Sequence, residues 1–337
     1  MTGIVDVAAR AGVSVATVSR ALRGLPGVSA ATRQLVQDIA AELGYVASPS
    51  AAGLPTGRTG AVAVVSPVAR GWYFTAVLEG AQEVLAQHGY DVLRYDLSEV
   101  ETNRRKVFDT QLLRKRADAL LIMSLPLDAD EVAALHAMHR PVMVVGPIVP
   151  GIPTVRVDDV EVGRQATRHL VELGHRSIGF AGGDPDDHLG FPVSPDRRLG
   201  YAEVLRAAGI EPDPRLTVPA KFTVEAGIAA YEELAARGVR PTAVFAVSDE
   251  VAMGIMYAAR HDGVRVPEDL SVVGVDDHDL SWLFGLCTVA QDVRQEGRLA
   301  ATALVERLRS GVDTEPSVTT VPTRLIVRTS TAPPLRR

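Results

Sequence analysis

The sequence predicts an α/β chain: an all-α helix-turn-helix headpiece at the N-terminus, then two doubly wound parallel-sheet lobes. Three observations predict it. Residues 6–24, DVAARAGVSVATVSRALRG, read as two short helices joined by a tight Gly-Val-Ser turn. From residue 61 onward, short β-branched runs alternate with helical segments, the pattern of parallel sheets covered by helices. Those runs fall into two sets of similar size, one for each lobe.

In the headpiece, Gly3 is a permissive N-cap, and Asp6 places a carboxylate at the positive end of the first helix. Val7, Ala8 and Ala11 share its buried face, and Gly12 ends it because glycine tolerates a left-handed conformation. Ser14 caps a second helix running to about Arg23, with Val18, Ala21 and Leu22 inward. That leaves Val15, Ala16, Ser19 and Arg20 outside, as a helix that enters the DNA major groove requires. Gly24-Leu25-Pro26-Gly27 breaks the chain. Ser29 then caps a third helix that turns Leu35, Ile39 and Leu43 inward and stops at Gly44.

The first set of strands is AVAVVS (61–66), YDVLRY (90–95), DALLIM (118–123) and PVMVV (141–145), with helices expected near 76–88, 102–115 and 129–138. The second is SIGFAG (177–182), AVFAV (243–247) and SVVGV (271–275), with helices near 160–173, 196–208, 224–237 and 249–262. A last helix covers 295–310 and a last strand pattern covers 317–327. In open sheets of this kind a ligand binds beyond the C-terminal strand ends, so a cleft between the lobes is the expected site.

Composition sets bounds. A chain of 337 residues, 47% hydrophobic and 23% charged, has material for two or three globular domains. No run is apolar and long enough to span a membrane, and no basic-then-apolar leader is visible. Cys287 is the single cysteine, which excludes an internal disulfide and fits a reducing cytoplasm. The net charge of −6 divides unevenly: residues 1–60 carry +2 and the remainder −8. A basic head on an acidic body confines phosphate attraction to the head.

The 6–24 string, followed by LGYVASPSAAGLPTGRTG, resembles the headpiece of the LacI/GalR family of bacterial transcription regulators. The segments VDDVEVGRQATRHLVELGHRSIGFAGG, DRRLGYAEVLRAAGI and SDEVAMGIMYAARHDGVRVPEDLSVVGVDD resemble that family's ligand-binding core, a relative of periplasmic sugar-binding proteins. The resemblance covers nearly the whole chain. It implies a headpiece over 1–46, a hinge helix and linker over 47–60, and an effector-binding and dimerisation domain over 61–337. The chain would cross between lobes near 160, 290 and 320. The N-lobe would then hold about 61–159 plus 291–320, and the C-lobe about 160–290 plus 321–337.

By the same resemblance, Val15 and Ala16 face base edges, with Arg20 one turn on. Apolar groups meet thymine methyls, and arginine makes a bidentate contact to guanine. Thr17, Ser19 and Thr32 are candidate phosphate donors, with plain helix surface the alternative for Thr17 and Ser19. Residues 48–54 resemble the family's hinge helix, in which Leu54 matches a leucine that wedges into the minor groove; the alternative is a linker residue covering the body. Ala47-Ser48 replaces the usual Pro-Asn before the hinge. Ala52 and Pro55 stand where arginines are common, Gly53 weakens the helix, and Arg58 is a candidate for the missing charge.

For the effector, the resemblance points to Arg198, Phe222, Ser248 and Asp276, with Phe74 and Gln291 completing the wall. Asp276 can accept two hydroxyl protons, as a sugar diol requires. Asp249 has two roles open, ligand contact or helix cap. Gly146-Pro147 stands where many sugar-sensing members carry a polar residue, which leaves the ligand open. The runs Asp276-Asp277-His278-Asp279 and Asp184 to His188 read as solvated loops, so no metal and no cofactor is expected. No nucleophile–base or phosphate-loop motif occurs, so an enzyme is not expected. Trp282 and Phe284 are candidates for an interface patch. The reading is a cytoplasmic, ligand-responsive homodimeric repressor on a pseudo-palindromic operator in double-stranded DNA, with a sugar or sugar derivative as effector. The alternative is a transport-type sugar-binding protein.

Overall fold

The computed structural model describes residues 3–22, 24–45, 58–67, 71–97, 104, 113, 115–183, 192–311 and 316–335. The headpiece is three helices, α1 (Ile4–Ala11), α2 (Val15–Leu22) and α3 (Ala30–Glu42). Each start has a cap. The Gly3 N–H donates to Asp6 Oδ2 at 2.7 Å, and Ser14 Oγ and Ser29 Oγ accept from the Thr17 and Thr32 N–H groups, both at 3.1 Å. Gly12 ends α1 at φ +64° with its N–H on the carbonyls of Ala8 and Ala9. The Arg33 guanidinium holds the end of α2 through the carbonyls of Ala21 (3.2 Å) and Leu25 (2.9 Å). The small core is Val7, Ala8, Val18, Ala21, Val36, Ile39 and Ala40. One expectation is corrected: Leu35 is exposed, and Val36 is buried in its place. The inward stripe of α3 runs 36, 39, 40 and 43, so counting from Leu35 starts it one residue early.

The body has two six-stranded sheets. The first is ordered β11-β5-β4-β3-β1-β2 and wholly parallel: β1 (Ala61–Ser66), β2 (Asp91–Asp96), β3 (Ala119–Met123), β4 (Val142–Val145), β5 (Thr154–Arg156) and β11 (Val318–Thr320). The second is ordered β12-β10-β9-β8-β6-β7: β6 (Ile178–Ala181), β7 (Thr217–Val218), β8 (Ala243–Ala246), β9 (Ser271–Asp276), β10 (Cys287–Ala290) and β12 (Arg324–Ile326). Only β12, beside β10, is antiparallel. Helices α4 (Trp72–Gln87), α5 (Ala129–Ala137) and α10 (Val293–Ser310) cover the first sheet. Helices α6 (Asp159–Glu172), α7 (Val193–Ala207), α8 (Val224–Ala236) and α9 (Asp249–His261) pack with the second. Within β1, Val62 and Val64 face α4 while Ala63 and Val65 face the α5 side, so every residue of the strand is buried.

The chain passes between the sheets after β5, after β10 and between β11 and β12. The strand pattern at 317–327 is therefore two short strands in two different sheets, separated by Val321-Pro322-Thr323. Proline has no N–H for a ladder, which marks the break. The helix expected over 102–115 and the hinge segment, Leu54 included, lie outside the described residues, the isolated positions 104, 113 and 115 aside. The Arg58 guanidinium donates one N–H to the Leu308 carbonyl near the end of α10 at 3.0 Å.

Three helix pairs cross at paired glycines: Gly80 and Gly297 between α4 and α10, Gly163 and Gly200 between α6 and α7, Gly227 and Gly254 between α8 and α9. A Cβ on any of the six would lie 2.0–2.1 Å from a carbonyl oxygen of the facing helix. Only glycine permits that approach, and the α6–α7 crossing sets the distance between two residues of the site described next.

Candidate functional site

The outer face of α2 is available to a partner. Val15, Ala16 and Arg20 are exposed. With Ser19, which is half-buried, they fall within an arc of about 140° on the helix. Arg10 pairs with Glu42 at 3.3 Å and Arg33 is spent on carbonyls, whereas Arg20 has no side-chain partner among the described residues. The hydroxyls of Thr17 and Thr32 lie 2.9 and 2.8 Å from the capping serines Ser14 and Ser29. Each Ser–Thr pair shares one proton internally and leaves the other for an acceptor outside.

The second candidate site lies between the lobes, where the C-terminal strand ends meet α4, α6, α7 and α10. Asp276 ends β9 with φ +120° and Asp277 follows at +56°. Such conformations cost a non-glycine residue about 1–3 kcal/mol and persist only when the surroundings fix them. Asp249 provides that fixing. Its Oδ2 accepts from the His278 N–H (2.9 Å) and the Ser281 hydroxyl (2.6 Å). Its Oδ1 lies against Gly274, where a Cβ would sit 2.1 Å away. Ser248 is the N-cap of α9, its Oγ accepting from the Val251 N–H. Ser248, not Asp249, is thus that cap, and Asp249 pins the loop after β9.

Asp276 is buried and receives the Gln291 amide N–H on its carboxylate. Burial pushes its pKa up to about 6, with Arg197 pulling the other way. The expected arginine is corrected by one position. Arg198 is exposed, while Arg197 is buried and donates to Asp159 Oδ1 at 2.9 Å and to the Val247 carbonyl at 2.5 Å. The inward stripe of α7 is Ser194, Arg197, Gly200 and Tyr201, and Arg198 lies off it. Phe74 is half-buried and stacks edge-on against Tyr73 at 5.4 Å, whereas Phe222 is exposed at the start of α8. A cavity of about 180 Å³ opens between Gly146–Ile148, Arg156, Asp159 and the start of α7.

Two residues not expected from the sequence belong to this site. Glu296 is 1% exposed, and burial, then the Asp159 charge, pushes its pKa up to about 8. The Tyr73 hydroxyl donates to Glu296 Oε2 at 3.4 Å, and Oε1 has no partner among the described residues. At the cleft edge the lobes are clasped. Trp72 Nε1 and Arg294 Nη2, both of the N-lobe, donate to Asp279 of the C-lobe at 2.9 and 3.2 Å. The Trp72 ring packs on His278 with centroids 4.9 Å apart. Arg294, then Trp72, hold the Asp279 carboxyl below its ordinary range. Asp277 pairs with Arg328, so two of the loop's three aspartates are in ion pairs, and no metal-binding group forms among the described residues. The Asp184 to His188 run lies outside them.

Comparison with known proteins joins the two sites. Residues 3–48 match the bacterial regulatory proteins of the lacI family, and residues 167–331 match a periplasmic binding protein-like domain. The repressor CytR of Escherichia coli is 33% identical over 308 residues, covering 90% of this chain and 89% of that one. The chain belongs to the LacI family. The LacI-family regulator CelR of Thermobifida fusca is 36% identical, with 96% of each chain covered. Among solved structures, a lac repressor dimer bound to operator and an anti-inducer superposes with a TM-score of 0.83 at 27% identity, covering 98% of this chain and 99% of that one. A complex of CelR with cellobiose gives a TM-score of 0.73 at 31% identity, covering 98% and 100%. As a LacI-family member the protein is a DNA-binding transcription regulator. No helix among its described residues is long and apolar enough to cross a membrane.

Proposed function

We propose that the protein is a homodimeric repressor of carbohydrate-related genes that binds a pseudo-palindromic operator and responds to a sugar-type effector between its lobes. The observation that carries this reading is the free, exposed face of α2, with Val15 and Ala16 toward base edges and Arg20 toward a guanine. Thr17, Ser19 and Thr32 then position the head on phosphates, and Leu54 enters the minor groove. A dimer doubles the phosphate contacts of a weakly basic head and matches two half-sites. Exposed Tyr257, Trp282 and Leu283, 59–70% accessible, give the body apolar surface for that pairing.

In the cleft, Asp276 accepts two hydroxyl protons and Gln291 orients it. Arg197 takes the role set for Arg198, and Phe74 and Phe222 supply ring faces. Effector and operator are coupled reciprocally: whatever one does to the affinity of the other is returned in kind. The test is fluorescence anisotropy on an operator selected from random DNA, titrated with salt and then with sugars. Selective, salt-steep binding altered by one sugar supports the reading. Arg20→Ala should lose about 1–3 kcal/mol of discrimination at one base pair per half-site. Equal weakening on every sequence would reassign Arg20 to phosphate. A sugar bound tightly with no change in operator affinity would refute the coupling.

A further inference from the structure

Glu296 carries the cleft beyond what a neutral sugar needs. It lies in the apolar stripe of α10, between Val293 and Ala300, and is buried there. The groups that face it are Tyr73 from α4, Asp159 from α6, Arg197 from α7 and Asp276 from β9. Arg197 is already paired with Asp159, and Asp276 already holds the Gln291 amide. Tyr73 donates only to Oε2, so Oε1 is a buried polar atom with no hydrogen-bond partner among the described residues, which is unfavourable in a dry site. Two carboxylates, Asp159 and Asp276, and the carboxyl of Glu296 thus face the Arg197 guanidinium, with Arg156 acting on Asp159 from the cavity wall. A hydroxyl would bring a donor without compensating charge. An ammonium brings three donors and a positive charge together.

We infer that the inter-lobe site takes a polyhydroxylated ring carrying a protonated amine, an amino sugar in its simplest form, and that Glu296 binds the ammonium. This rests on the effector reading above and narrows it. Because burial keeps Glu296 protonated in the empty site, an ammonium that ionises it releases a proton.

The experiment is calorimetry on the full chain with glucosamine, galactosamine and mannosamine, each against its parent hexose, in buffers of different ionisation heat. One amine should bind at least about tenfold more tightly than its parent, with proton release. Glu296→Gln keeps the shape and the Tyr73 contact; it should bring the pair within about twofold and abolish the release. Equal affinity for amine and parent, or a preference that survives in Glu296→Gln, overturns the inference. If a parent hexose binds and shifts operator affinity without any amine preference, the effector reading stands and the amine falls. If none of the six binds and operator affinity does not move, both fall.

Discussion

Glu296 is buried in the inward stripe of α10. In the unfolded chain Glu296 titrates near 4.5; folded, its pKa is about 8. Between those values the folded chain holds a proton that the unfolded chain has lost, so its contribution to stability falls as pH rises through that window and levels above it. Thermal melts from pH 5 to 9 should show Glu296→Gln gaining on the parent until about pH 8 and holding its lead beyond. A pH-independent difference would mean that Glu296 stays ionised in the fold. The residue was legible in part: a carboxylate at 296 breaks the i, i+3, i+4 run of Val293, Gly297, Ala300 and Leu304. The motif that names Arg198 does not phase a helix, and α7 turns Arg197 inward instead. The loop contacts of Asp249 are not legible in the sequence for another reason. Its partners, His278 and Ser281, lie about thirty residues away, and only the fold brings them together.

Elements were legible in proportion to how completely they are covered. Strands β1, β3, β4, β6, β8 and β9 are buried throughout and read as unbroken apolar runs. Strands β5 and β7, two or three residues long, hold no pattern of their own, and β11 and β12 read as one run over 317–327. Paired glycines were also beyond the sequence, since each looks like an ordinary weak point of its helix until the facing carbonyl is known. Gly200→Ala would place its Cβ 2.0 Å from the Val160 carbonyl oxygen. Backbone cannot retreat as a side chain does, so urea unfolding should show a loss of about 1–3 kcal/mol. Effector affinity should fall too, because Arg197 lies one turn away and its 2.9 Å bond to Asp159 spans the same crossing. A variant as stable as the parent would show that α6 and α7 slide apart at little cost.

At the scale of the molecule, the charge division read from the sequence survives: a head of +2 on a body of −8. The three passages between sheets leave the lobes joined by short strands and by the Trp72–Asp279–Arg294 clasp, a geometry that permits rotation of one lobe on the other. Helix α10 acquires a mechanical meaning from its two ends. Glu296 is buried near one end, and the Leu308 carbonyl near the other is gripped by Arg58, the first described residue of the linker. About 18 Å of unbroken helix separates them. Arg58→Ala should therefore leave effector affinity, read by calorimetry, within about twofold, while the effector's influence on operator affinity shrinks by several-fold toward none. An undiminished response would show that the linker is moved by something else. If an effector lands beside Glu296 as proposed, the unbroken helix and this grip give its displacement a stiff path to the root of the arm that carries the reading head.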